Sequence, residues 1–178
     1  MAELLELMAG SEVQCTDGRV GHVGGLIFDP PTGTVTHISV ATRSGSQNGR
    51  LVPLAEVQSA GPVTQLVCAR DDYYRFPENE EFVTPVGAGP TPSVLHVRLT
   101  PHGEKELEEN ETVHAADGRA GHLVGLAVDR ESHAVKELLV RVGHFSGRHQ
   151  VSVPFDAVTE VDKQGIHLRV SKDELSVF

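Results

Sequence analysis

The stretch "CTDGRVGHVGGLIFD" occupies Cys15–Asp29, and "AADGRAGHLVGLAVD" occupies Ala115–Asp129, one hundred positions later. Gly10–Val40 and Asn110–Val140 align without a gap and are identical at eleven of thirty-one positions, against about two expected from ordinary residue frequencies. Beyond them, "RLVPLAEV" (Arg50–Val57) aligns with "VSVPFDAV" (Val151–Val158) after a one-residue insertion. "LVCARDDYYRF" (Leu66–Phe76) aligns with "LRVSKDELSVF" (Leu168–Phe178) after one more. Solenoid repeats are much shorter, so this period records a duplicated domain. The chain divides into a first copy at 1–76, a linker at 77–93 rich in proline, glycine and acid, and a second copy at 94–178.

Each copy reads as short strands joined by tight turns. Asp17-Gly18 and Asp117-Gly118 are hairpin dipeptides whose central residues tolerate positive φ. Val23 and Leu26, like Leu123 and Leu126, look like core positions three apart, and strict alternation would send them to opposite faces. One extra residue at Gly24-Gly25, and near Gly125, restores the parity, so a bulge is expected there. "DPPTGT" (Asp29–Thr34) is a well-formed turn, whereas "DRESHA" (Asp129–Ala134) lacks Pro and Gly and is expected to be looser. Pro53 and Pro154 sit inside apolar runs and mark a strand start, a bulge or an edge. "VLHVRLTP" (Val94–Pro101) alternates and is expected to pair with the second copy. "GEKELEEN" (Gly103–Asn110) is a short helix or an entry strand, and "LLELMAG" at the matching place favours the strand. Each copy thus predicts five or six strands, an all-β fold of two small barrels in tandem.

Composition narrows the function. Trp is absent, aromatics make up only 4%, and a chain rich in valine and glycine suits short strands and tight turns more than long helices. The net charge of −10 opposes binding to nucleic acid or anionic lipid. Cys15 and Cys68 match no metal or redox spacing and read as small apolar residues of a reducing cytoplasm, or as a pair in an oxidising compartment. No apolar run approaches membrane-spanning length, and "MAELLELMAGSEV" is no secretion signal. A cytoplasmic protein is expected.

The ordered set "DGRVGHVGGLIFDPPTGTVTHISV" then "RLVPLAEV" resembles a PRC-barrel domain, an SH3-like β-barrel family. Its pattern is a strand, Asp-Gly, Gly-x-Val, an apolar run ending in Asp, a Thr-Gly turn, an apolar strand and Val-Pro-Leu. The second copy follows it through "DGRAGHLVGLAVD" and "VSVPFDAV" but replaces Thr-Gly with Ser132-His133. The resemblance implies a non-enzymatic protein-interaction or assembly module without a cofactor, the kind found in a photosynthetic reaction-centre subunit and in many small bacterial and archaeal proteins, some stress-related. A ribosome-maturation factor of the same family implies an alternative, ribosome-associated role. A homodimer is expected, because open barrels pair their edges.

The chemistry-bearing candidates are few. His22 and His122 recur and are expected to face outward, as interaction residues or, in a second alternative, as metal ligands; zinc needs three or four converging ligands, and none follows at short spacing. His144 and His149 lie in "GHFSGRHQ", with no counterpart in "RSGSQNGR". No nucleophile elbow, zinc helix or phosphate loop is present, so no catalytic, cofactor or metal residue is assigned. Asp17, Gly18, Gly21, Gly25, Asp29 and Pro53, with Asp117, Gly118, Gly121, Gly125, Asp129 and Pro154, read as structural, the aspartates bonding their own turns and pairing with Arg19 and Arg119. Tyr73 and Tyr74 are expected to be exposed aromatics of a contact patch.

Overall fold

The computed structural model describes residues 3–42, 49–78, 80–83, 95–98, 100–101, 103–143, 147 and 149–178. The first copy forms β1 (Leu4–Met8), β2 (Glu12–Cys15), β3 (Gly18–Asp29), β4 (Thr34–Ala41), β5 (Arg50–Pro53), β6 (Val57–Ser59), β7 (Val63–Leu66) and a one-turn helix α1 (Arg70–Tyr73). β8 (Glu80–Val83) and β9 (Leu95–Arg98) follow. The second copy repeats the plan as β10 (Lys105–Glu108), β11 (Thr112–Ala115), β12 (Gly118–Asp129), β13 (Val135–Val142), β14 (His149–Pro154), β15 (Val158–Asp162), β16 (Gly165–Leu168) and α2 (Lys172–Leu175).

The fold is all-β, in two sheets of seven strands each: β14-β13-β12-β11-β16-β15 with β1 on β12, and β5-β4-β3-β2-β7-β6 with β10 on β3. The seventh strand of each sheet comes from the other copy. β1 runs antiparallel to β12, from Leu4↔Asp129 to Met8↔Gly125, and β10 runs antiparallel to β3, from Lys105↔Phe28 to Glu108↔Gly25. Sheet membership therefore departs from the segments 1–76 and 94–178 at these two strands. Strand 94–101 also differs from expectation: β9 pairs with β8 in a ribbon of its own, with Glu80↔Arg98 and Val83↔Leu95 as its ends. A nearby antiparallel partner satisfies its ladder without the second sheet. β8 itself falls within the segment read as linker.

The exchange makes the chain an internal pseudo-dimer. Val35 N–H donates to the His133 carbonyl (3.0 Å), and Val135 N–H donates to the Gly33 carbonyl (2.9 Å). The pairs swap under the hundred-residue offset, as contacts about a two-fold axis must. Phe28 meets Phe155 edge to face, with ring centroids 5.6 Å apart. Leu7 and Leu107, on the exchanged strands, are buried in one continuous core that draws on both copies. Burying a leucine is worth about 2 kcal/mol, so the exchange replaces two small cores with one larger one.

The glycine-rich phrase builds the predicted bulge. Val23 pairs with Val40 and Gly25 with Ser39, leaving Gly24 unpaired; Leu123 and Gly125 repeat this around Val124. Val23, Leu26, Leu123 and Leu126 are all buried, so the extra residue restores the inward face. Two turns differ from expectation. In the hairpins Cys15 pairs with Gly18 and Ala115 with Gly118, so the tips are Thr16-Asp17 and Ala116-Asp117, and only the glycine that follows takes positive φ (143° and 129°). Asp17 Oδ1 accepts from the Arg70 N–H (2.8 Å), and Asp117 Oδ1 from the Lys172 N–H (3.0 Å). They cap the first turns of α1 and α2 from a distant hairpin. Arg19 pairs instead with Glu12, at 3.4 Å.

The Asp129–Ala134 turn is tight, not loose. His133 adopts φ 60° where Gly33 has φ 68°. Asp129 Oδ1 accepts from Ser132 N–H (2.8 Å), Ser132 Oγ (2.9 Å) and Glu131 N–H (3.1 Å). These bonds, those of Ser132 foremost, hold the Asp129 carboxyl below its ordinary range. A lowered folded-state value contributes stability above the unfolded value, and that stability is lost as pH falls through the folded one. Acid titration of unfolding stability below about pH 4 is expected to show a smaller decline in Asp129→Asn than in the native chain.

Pro53 and Pro154 end the outermost strands β5 and β14 and lead into 3-10 turns at Leu54–Glu56 and Phe155–Ala157. This is the edge placement that a missing N–H donor demands.

Candidate functional site

The repeated residues are consumed by the backbone. A side chain at Gly21 or Gly121 would overlap the carbonyl of Ala41 or Arg141 on the neighbouring strand. Gly125 lies under the Leu7 carbonyl of the exchanged strand, and Gly25 under the Glu106 side chain. With the aspartates capping helices or bonding turns, none of the twelve repeated positions presents a reacting group at a cavity.

The histidine pair has diverged. Both rings are half-buried, not fully outward. The His22 Nε2 is buried without a hydrogen-bond partner. His122 donates from Nδ1 to the Asn110 carbonyl (3.0 Å) and accepts at Nε2 from Arg119 Nη2 (2.9 Å). That pattern defines a neutral imidazole with its proton on Nδ1. Asn110 reaches its place through a left-handed φ of 65°, which asparagine tolerates.

His122 lines a cleft of about 750 Å3 between β12, β13 and α2. Its cationic side chains are Arg119, Arg141 and Lys172, with His149 at the rim of β14, and among the described residues no carboxylate lines it. His122 and Arg141 are cross-strand partners, so they share a face of the sheet. The Lys172 ammonium lies 3.3 Å from the place of a Cβ on Gly118, next to Arg119. Among the described residues no acid pairs with Arg119, Arg141 or the Lys172 ammonium.

The first copy fills or neutralises the same place. Arg19 is paired with Glu12 (3.4 Å) and Arg70 with Asp17 (3.7 Å). Ala41 stands where the second copy has Arg141. Tyr73, expected to be an exposed contact residue, is fully buried, and its hydroxyl reaches toward the Val40 carbonyl at 3.4 Å. Its ring packs on Tyr74 at 5.2 Å, and Tyr74 carries the Arg50 guanidinium 5.8 Å from its ring. Tyr74 alone of the two is exposed, at 53%. Leu175 and Ser176 replace this aromatic plug in the second copy. Sequence reading had the ingredients of this difference, the Tyr73/Leu175 and Glu12/Thr112 exchanges, but not the packing that makes them face one cavity.

No family model matches the chain. A search of the curated proteins gives no match either. What the site can do is therefore read from its own chemistry.

Two further clusters lie away from this cleft. His114 and His167 stack at 4.9 Å where β11 and β16 run parallel. Their ring nitrogens bond the Gln164 carbonyl and the Asp162 carboxylate, each at 3.1 Å. The Gln164 N–H first, and His167 second, hold the Asp162 carboxyl low. Fifty-three residues separate these histidines, so no spacing signal could have found them. His144 lies outside the described residues; His149 bonds the Gly147 carbonyl at 3.1 Å. Among the described residues, no three His, Cys, Asp or Glu side chains are grouped to hold a metal.

Cys15 and Cys68 are buried free thiols beside each other in the first copy. Burial, then the neighbouring Cys68, pushes the Cys15 thiol up to about 12; burial also raises Cys68. The thiolate is the nucleophile. Neutral-pH alkylation of the native chain, followed by mass spectrometry, is expected to label neither cysteine, and both should react fully in denaturant.

Proposed function

We propose that the chain is a non-enzymatic protein-binding module of the PRC-barrel type, an adaptor or assembly factor that acts on partners without chemistry. The observation that carries this reading is the use made of the repeated residues: bulge, close strand approach, turn and helix cap. A duplicated catalytic loop would spend its repeated carboxylates on a substrate cavity; here Asp17, Asp117 and Asp129 are spent on backbone N–H groups. The bulge, the Asp-Gly hairpin, the strand-ending prolines and the all-β architecture fit the family that the sequence resembles. No helix among the described residues is long and apolar enough to cross a membrane, which suits an adaptor working in the cytoplasm.

The first partner proposed is a second copy of the chain. The isologous face is already used internally, so self-association would run through the remaining sheet ends. β14 and β15 close one sheet and β6 ends the other, whose β5 is covered at Leu51 by the Pro77 carbonyl (2.9 Å), and unpaired strand edges are templates for pairing. Sedimentation of the full chain across a broad concentration range is expected to show a dimer. A chain that remains monomeric throughout and retains no protein from cell lysate overturns the proposal.

A further inference from the structure

We propose that the cleft between β12, β13 and α2 is a binding site for a small organic phosphate. The inference does not depend on the protein-binding reading, because it rests on this cavity alone.

The charge is the first ground. The chain carries a net charge of −10, yet the described residues lining this cavity include two arginines, a lysine and two histidines and no carboxylate. Two of the acids nearest in sequence are engaged by backbone N–H groups. Asp117 accepts from the Lys172 backbone N–H, and Glu174 accepts from the Ser171 N–H in the cap of α2. Like charges gathered in one concavity repel unless an anion joins them. Three permanent cations match a phosphate or diphosphate better than a single carboxylate, and the arginine fork fits phosphate oxygens with two bonds at once.

Preorganisation is the second ground. The Arg119 guanidinium is held by His122 Nε2 at 2.9 Å, and that ring is oriented in turn by the Asn110 carbonyl. Since His122 spends its lone pair on Arg119, it acts as a positioning residue. A held arginine loses less freedom when it binds.

Size and lining are the third ground. A volume of about 750 Å3 lies in the range of small-molecule sites. Ala120, Val142 and Leu175 give it an apolar side, so a ligand with an organic part buries more than phosphate alone. An extended polyanion would meet the acidic remainder of the surface and be repelled.

The first copy supplies an internal control, since Glu12, Asp17 and the buried Tyr73 neutralise or fill the matching place. One site per chain follows.

The test is calorimetric titration of the full chain with phenyl phosphate, inorganic phosphate and citrate at low salt. The expected result is one saturable site per chain, with phenyl phosphate bound more tightly than inorganic phosphate and citrate weakest. Arg141→Glu should weaken phenyl phosphate by about tenfold or more. Arg75→Glu makes the same charge change on an exposed first-copy residue and should leave binding near the native value. Backbone NMR shifts should move around Arg119, His122 and Arg141 and remain still in the first copy. Absence of saturable binding overturns the proposal. So does binding that survives Arg141→Glu, citrate bound as tightly as phenyl phosphate, or shift changes scattered over both copies.

Discussion

Replacing Leu7 with alanine is expected to loosen the second copy, one hundred residues away in sequence, and to spare the first copy's own long strand. Leu7 is fully buried and stands opposite Leu126, in a ladder that runs from Leu4↔Asp129 to Met8↔Gly125. Truncating a buried leucine costs about 3 kcal/mol, from lost transfer energy and the cavity left behind. Hydrogen exchange locates the damage. Amides of Gly125–Asp129 should lose protection in Leu7→Ala, while those of Gly25–Asp29 keep theirs, because Leu107 of the exchanged β10 stands on that strand opposite Leu26. Leu107→Ala should give the mirror result. Two independent barrels in chain order would place each effect in the copy that carries the substitution, and that outcome would sink the exchanged topology.

The exchange shows where sequence reading ends. Period-two alternation, the Asp-Gly turns and the parity break at Val23–Leu26 are local signals, and each found its structure: short strands, hairpins, and a bulge at Gly24 or Val124. "LLELM" and "KELE" also announced strands. Nothing in them states which of two nearly equivalent long strands they join, because the copies offer matching faces and the choice depends on how the linker and the common core fit together. The same limit explains Tyr73. An aromatic pair beside an acidic run reads as surface, yet Tyr73 is the largest fully buried side chain among the described residues. Its helix α1 is pinned by Asp17 from the opposite end of the copy. The candidate cleft was least legible, since it consists of what the second copy lacks: the carboxylate of Glu12 and the rings of Tyr73 and Tyr74.

Identical letters can also carry different loads, and Gly25 and Gly125 make this measurable. Both stand at the end of a bulge, and both lie beneath the strand received from the other copy. A Cβ on Gly25 would come within 2.5 Å of Glu106 Oε1 and 2.7 Å of its Cγ, so this side chain must re-rotate and give up its bond from Ser39 Oγ (2.8 Å). A Cβ on Gly125 would overlap the Leu7 carbonyl, and a backbone oxygen inside a ladder cannot move without breaking its pairing. Gly125→Ala is therefore expected to cost about 3 kcal/mol and to release β1, whereas Gly25→Ala should cost about 1 kcal/mol, the scale of the side-chain bond it breaks. Denaturant unfolding ranks the two variants, and exchange of the Gly125–Asp129 amides shows whether β1 has left. Gly121→Ala calibrates the scale, since its Cβ would strike the Arg141 carbonyl within its own sheet. It should be as destabilising as Gly125→Ala but should lose protection along β13, not at β1. Equal costs at Gly25 and Gly125 would mean that the two strand exchanges are packed alike, and the backbone approach of β1 to Gly125 would then be wrong.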